Sequence, residues 1–204
     1  MPAKREPDQT RKSLLVAAFW EIYQKGYQAA AIDKILEETG VTKGALYHHF
    51  KNKKDLGLTV VDEIIGGIVL QPWLEACADA SQPIEACAAA FRHHLNEHER
   101  YIIELGCPLN NLAQEMSPVD EDFRERINAV YRKWQAALAG LVARAQACGR
   151  VREGLDPERV ASYIVSSFEG IIGMAKTTQS REFLDAGLEG LEAYALSLQP
   201  EPQS

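Results

Sequence analysis

Thr42, Lys43, Gly44, Ala45, Tyr47 and His48 fall within seven consecutive positions, and each is either small or able to hydrogen-bond. The helix that would carry them, Thr42–Phe50, spans about 12 Å of axis, a length that fits the major groove of a duplex. Lys51, Lys53 and Lys54 follow directly, a lysine-rich start to the next helix. A second chemistry is offered by Cys107 in Gly106-Cys107-Pro108, where a break between helices would set a helix N-terminus beside the thiol and favour thiolate. The other cysteines, Cys77, Cys87 and Cys148, are assigned to packing. The four thiols are separated by 10, 20 and 41 positions, which matches neither a metal-binding CxxC pair nor a dense disulfide framework, so reduced thiols are expected. His94 and His98, at i, i+4 within His-His-Leu-Asn-Glu-His, share a helix face as two zinc ligands would. No suitably spaced cysteine pair accompanies them, so neither metal nor cofactor is assigned.

These groups need elements to hold them, and apolar periodicity supplies helices throughout, with no convincing period-2 alternation. Leu14, Leu15, Ala18, Phe19, Ile22 and Tyr23 mark a first helix ending at Gly26. Ile32, Ile35 and Leu36 mark a short second one ending at Gly40, and Thr42 N-caps a third that carries Leu46 and Phe50 at i, i+4. A fourth runs from about Lys53 to Leu70 and is expected to stop before Pro72. Further helices are expected from Pro83 to Tyr101, between Pro108 and Pro118, from Phe123 to near Gly149, from Pro157 to Thr177 and from Glu182 to Leu198. The architecture is therefore all-α, with about nine helices: an N-terminal three-helix helix-turn-helix domain over residues 1–54 and a C-terminal helical bundle over residues 55–204.

Residues 32–56 have helix-turn-helix grammar. Gly40 permits a left-handed turn, Val41 can plug the angle between the helices, and Ile35 and Leu46 can pack across it. The run Thr39-Gly40-Val41 through Gly44, Leu46, Tyr47, His49, Phe50, Lys53 and Leu56 resembles the signature of the TetR family of transcriptional regulators. The resemblance implies a homodimer that represses promoters until an inducer binds. It places Thr42–Phe50 in the major groove, with Lys43, Gly44 and Ala45 nearest base edges and Tyr47, His48 and Lys53 at phosphates. Ala31 stands where the family usually has a capping threonine, and Leu36 where it usually has a small residue.

The segment Gly106–Leu112, Gly-Cys-x-Leu-x-Asn-Leu, resembles a TetR subgroup that senses reactive electrophiles or oxidants, in which such a cysteine works beside a lysine on a late helix. Lys176 fits that place: near Cys107, its charge would stabilise a thiolate and its amine could trap a sulfenic acid. For a small-molecule inducer, Trp73, Phe91, Tyr101, Tyr131, Trp134 and Phe168 offer pocket walls on helices that should converge. Phe168, Ile171, Leu184, Leu188 and Leu191 are expected to be buried across a twofold between the last two helices of two copies, and Gly170 and Gly173 to allow close helix approach there.

Composition bounds the alternatives. The chain has 204 residues, 46% hydrophobic and 25% charged, and its N-terminus lacks an apolar secretory segment. No apolar run approaches the roughly 20 residues of a membrane-spanning helix, so a cytoplasmic protein without a membrane partner is expected. The net charge of −7 is split unevenly, +3 over residues 1–57 and −10 over the rest, so only the first quarter favours a polyanion. No triplet of nucleophile, base and orienting group can be read, so an enzyme is not expected. A thiol- or metal-dependent enzyme and a nonspecific nucleic-acid-binding helical protein are the competing classes. The second would spread its basic charge along the chain rather than concentrate it in one element.

Overall fold

The computed structural model describes residues 7–78, 92, 95, 96 and 98–200, and among these every regular element is helical, as the periodicity predicts. In chain order they are α1 (Pro7–Lys25), α2 (Ile32–Thr39), α3 (Lys43–His49), α4 (Lys53–Val60), a π-helical turn (Val61–Ile65), α5 (Gly66–Ala78), α6 (98–105), α7 (Pro108–Met116), α8 (Glu121–Ala147), α9 (Pro157–Thr178) and α10 (Arg181–Ser197). Most of the helix expected from Pro83 lies outside the described residues, and its described end runs past Tyr101 to Leu105. The chain divides into two compact units. One holds the residues up to Ile68 together with Pro108–Asn128, and the other holds Val69–Cys107 together with Ala129 onward.

In the first unit the apolar stripes meet as their spacing requires. Leu14, Leu15, Ala18 and Phe19 of α1, Ile35 of α2, Leu46 of α3 and Leu56 of α4 are all buried, as are Leu109 and Leu112 of α7 and Phe123 and Ile127 of α8. Tyr27 and Phe123 lie with ring centroids 4.5 Å apart, and Gly57 leaves them room, since a Cβ there would fall 2.6 Å from the Tyr27 ring. The loop between α1 and α2 is held from α7: the backbone N–H groups of Tyr27 and Gln28 donate to the two Glu115 carboxylate oxygens, each at 2.8 Å. Ion pairs add ties at the rim. Arg11 grips Glu63 through two hydrogen bonds of 2.7 and 2.6 Å, Lys54 reaches both Asp120 and Asp122 at 2.7 Å, and Arg126 pairs with Asp62.

Pro72 does not end a helix. It lies inside α5, which continues to Ala78. Proline removes one backbone donor, but Val69, Leu70 and Trp73 on either side are buried, and their burial holds the helical path. The expectation of no long apolar helix is corrected with it. Lys53–Glu75 is 23 residues long and apolar enough to cross a membrane by length and composition, although its most apolar window is 56% buried inside the protein, as in the core helix of a soluble fold.

In the second unit, Val130, Trp134, Leu138, Leu141, Val142 and Ala145 keep one buried face along α8. Asp156 caps α9 by accepting from the N–H groups of Glu158 and Arg159, and Ser180 caps α10 by accepting from that of Phe183. α9 and α10 pack on one another within one chain: Tyr163 and Tyr194 lie 4.4 Å apart by ring centroid, and a Cβ on Gly187 would meet Ile171 at 2.7 Å. This corrects the expected twofold surface. Phe168, Leu184, Leu188 and Leu191 are 1–5% exposed in the single protomer, so a second copy cannot cover them, and only Ile171 stays partly exposed. Their periodicity reports burial, and the partner is the neighbouring helix. The close-approach glycine between α9 and α10 is Gly187, whereas Gly170 and Gly173 have open space where a Cβ would stand.

Candidate functional site

The turn between α2 and α3 is built from local chemistry. Gly40 adopts φ 66°, which favours glycine, and its N–H donates to the Leu36 carbonyl to close α2. Thr42 then opens α3 by accepting from the Ala45 N–H at 3.3 Å. Ala31 provides no such side-chain cap for α2, and its own N–H donates to Glu21 instead, at 3.2 Å. Buried Leu46 and Phe50 anchor one face of α3. The opposite face is therefore turned outward: Thr42, Lys43, Gly44, Tyr47 and His48 are exposed and Ala45 is half-buried.

The outward face has two properties of a surface built for an external partner. Lys43 makes no ion pair with any described residue, so none of these neutralises its charge. Gly44 sits inside the short helix although glycine costs about 1 kcal/mol there relative to alanine, and nothing lies within 4 Å of where its Cβ would be. No neighbour among the described residues accounts for that glycine. Lys53 differs from Lys43: its ammonium donates to the Gln28 carbonyl at 3.0 Å and lies 4.9 Å from the Tyr27 ring centroid. The side chain expected at a phosphate is thus also a brace for the α1–α2 loop. Lys54, held between two aspartates, has its pKa raised by hydrogen bonds to Asp120 and then Asp122.

The second unit gathers several of the expected effector residues. Trp73, Trp134 and Phe168 form one buried aromatic group, with centroids 5.1, 5.3 and 5.7 Å apart, and Tyr131 stacks on Trp134 at 6.5 Å. Tyr101 does not join that core. It is 41% exposed because α6 turns the adjacent Ile102 inward instead. Phe91, like His93 and His94, lies outside the described residues. Cys107 is buried at 7% exposure, and its Sγ–H donates to Glu169 Oε1 at 3.2 Å. The resemblance points to Lys176 beside this thiol, and the structure adds a carboxyl group as its hydrogen-bond acceptor. Lys176 is half-buried on the last turn of α9, seven residues after Glu169.

Sequence reasoning missed Glu169, the one buried charged residue among those described. A signal was present: it falls among Val165, Phe168 and Ile172, on the apolar stripe of α9, where an acid is out of place. Burial pushes its carboxyl up to about 7, with the Cys107 hydrogen bond opposing. Its Oε2 and the Trp134 Nε1 are both buried and have no hydrogen-bond partner among the described residues. The Tyr131 hydroxyl is pushed far above its ordinary value by burial first, and then by the charges of Glu169 and Cys107, which places all three groups in one neighbourhood.

Comparison with known proteins agrees with both halves of this description. Residues 14–59 match the family model described as bacterial regulatory proteins of the tetR family, and residues 83–191 match that of the tetracyclin repressor-like C-terminal domain. The transcriptional regulator AcuR of Cereibacter sphaeroides is 32% identical over 168 residues, which cover 81% of this chain and 75% of AcuR. The HTH-type transcriptional repressor DhaR of a Mycobacterium species is 27% identical over 167 residues, covering 79% of this chain and 80% of DhaR. A crystal structure of a regulatory protein TetR from Rhodobacter sphaeroides superposes with a TM-score of 0.80 at 30% identity, over 90% of this chain and 97% of that one. With a helix-turn-helix near the start of the sequence and both family models matched, the chain belongs to the TetR family of DNA-binding transcriptional regulators.

Proposed function

We propose that the protein is a homodimeric cytoplasmic repressor whose α3 enters the major groove of an operator and leaves it when the second unit is engaged by a small molecule or modified at Cys107. Residues 1–54 are the reading domain and residues 55–204 the sensing and dimerising domain. Lys43, Gly44 and Ala45 stand nearest the base edges, with Thr42, Tyr47, His48 and Lys53 toward phosphates. The observation that carries this reading is the exposed outward face of α3, in which a lysine without an ion pair among the described residues sits beside a glycine that no described neighbour requires.

Dimerisation is assigned to α9 and α10 through their outward faces. Tyr163 and Met174 on α9 and Leu196 on α10 are 50–53% exposed, and Gly170, Gly173 and Gly190 beside them leave open space that would let two backbones approach. An effector acts only insofar as it favours a dimer arrangement in which the two α3 helices no longer match successive grooves. The test is affinity for a duplex selected from a random library against unselected duplex, measured across salt concentration. Preference for the selected duplex by about 1000-fold supports sequence reading. Equal affinity for both would replace this function with nonspecific nucleic-acid binding.

A further inference from the structure

The base edges a reading helix can recognise depend on the donors and acceptors it still has to offer. Between Thr39 and Asp55 the sequence holds one side-chain amide, Asn52, and one carboxylate, Asp55. Both are engaged inside the chain: Asn52 Oδ1 accepts from the Asp55 N–H and Asp55 Oδ2 from the Lys51 N–H, each at 2.9 Å. The Thr42 hydroxyl at the head of α3 accepts from the Ala45 N–H at 3.3 Å, and Glu37 in α2 pairs with Lys34 at 2.7 Å. Among Lys43, Gly44 and Ala45, only Lys43 has a hydrogen-bonding side chain, and an ammonium carries three donors and no acceptor.

We infer that each operator half-site carries a guanine read by Lys43, with a thymine in an adjacent base pair whose methyl group enters the space over Gly44. The inference rests on the reading of α3 as the groove element and names the base chemistry that this element takes. In the major groove cytosine and adenine each present an amino donor, which a face without a free amide or carboxylate is poorly equipped to receive. Guanine presents two acceptors, N7 and O6, and no donor, and a lysine can engage both. Lys43 is exposed and has no ion pair among the described residues, so its ammonium reaches a base without giving one up.

The thymine follows from a space. Lys43 with Tyr47, and Gly44 with His48, stand one turn apart, so these four positions share one face of α3, and all four are exposed. Three carry long or ring side chains, and the fourth carries none. No described residue lies within 4 Å of where a Gly44 Cβ would stand, so the gap opens outward rather than toward the core. The 5-methyl of thymine projects into the major groove and is read by apolar contact. A gap one methyl group deep, bordered by the Tyr47 ring and the Lys43 stem, matches it, and the contact offsets what glycine costs inside the helix.

The test uses the full chain and a duplex selected from a random library, with affinity read by fluorescence anisotropy. Each guanine is replaced singly by 7-deazaguanine, which lacks N7, or by inosine, which keeps N7 and O6. Each thymine is replaced singly by uracil, which lacks only the methyl group. One guanine per half-site is expected at which 7-deazaguanine weakens wild type about fivefold or more, inosine leaves affinity unchanged, and Lys43→Ala no longer distinguishes guanine from 7-deazaguanine. At the adjacent thymine, uracil should weaken wild type about fourfold, the effect of one buried methyl group. Gly44→Ala, whose own methyl fills the space, should instead bind the uracil duplex more tightly than the thymine duplex. Both replaced positions are exposed, and the base replacements with wild type need neither variant. The inference is overturned if no guanine shows this pattern, if inosine weakens binding as 7-deazaguanine does, if Lys43→Ala keeps the full penalty, or if Gly44→Ala prefers thymine as wild type does. A duplex bound about 1000-fold more tightly than unselected DNA, yet indifferent to these replacements, overturns the inference alone and leaves sequence reading by α3 in place. Selection that yields no preferred duplex overturns both.

Discussion

Replacing Glu169 by glutamine tests the buried carboxyl through its effect on stability. The sign follows from linkage: the folded state raises this carboxyl to about 7 from an ordinary value of 4.5, so folding favours the neutral form. The stability tied to that preference is fully present below about 4.5 and is lost as pH rises through about 7. At about 1.4 kcal/mol per pH unit, the interval amounts to about 3 kcal/mol. Glutamine has nearly the same shape, can accept from the Cys107 thiol and does not ionise, so the variant should match wild type near pH 4.5 and exceed it by about 3 kcal/mol at pH 8. For a chain of this size that is a gain of about 6–12 °C in midpoint. The assay is urea unfolding of both proteins at pH 4.5, 6 and 8, at one protein concentration so that dimerisation is held constant. Wild-type and variant curves that run parallel across this range would refute the reasoning, because they would mean that the folded protein keeps Glu169 charged at no penalty.

Gly44→Ala should raise stability by about 0.5–1 kcal/mol, since the new methyl meets none of the described residues, and should lower operator affinity. Unfolding and DNA titration of the same sample check both effects. Lys43→Ala should change which duplexes are preferred and leave unfolding unaltered, whereas Lys53→Ala should weaken all duplexes similarly, flatten the salt slope and lower stability through the lost hold on Gln28 and Tyr27. Glu115→Gln leaves one oxygen for two backbone donors, so it should destabilise the first unit by about 1–2 kcal/mol. Hydrogen exchange at the Tyr27 and Gln28 amides should accelerate with it.

Legibility in the sequence tracked how local the chemistry is. Gly40, Thr42, Leu46 and Phe50 specify a turn, a cap and a buried face within one short stretch, and each stands where its type requires. The long stripe of α8 was equally readable, because its period repeats over 27 residues. What a stripe meets is not written in its period. Phe168, Leu184, Leu188 and Leu191 are buried by the packing of α9 on α10 inside one protomer, and that choice depends on the whole arrangement of helices. Pro72 misled for a related reason, since tertiary burial of Trp73 and its neighbours outweighs one missing hydrogen bond. The hydrogen bond from Cys107 to Glu169 was out of reach because it spans 62 positions, although an acid on an apolar stripe marks Glu169 as a residue to suspect.

Hydroxyl-radical footprinting of a selected duplex, combined with the mass of the complex, tests the reading role of α3 most directly. The account predicts an even number of chains per duplex and two symmetric protected half-sites about one helical turn, roughly 34 Å, apart, with protection lost when Lys43 and Tyr47 are both replaced by alanine. A single asymmetric footprint, or protection that survives that double replacement unchanged, would contradict it.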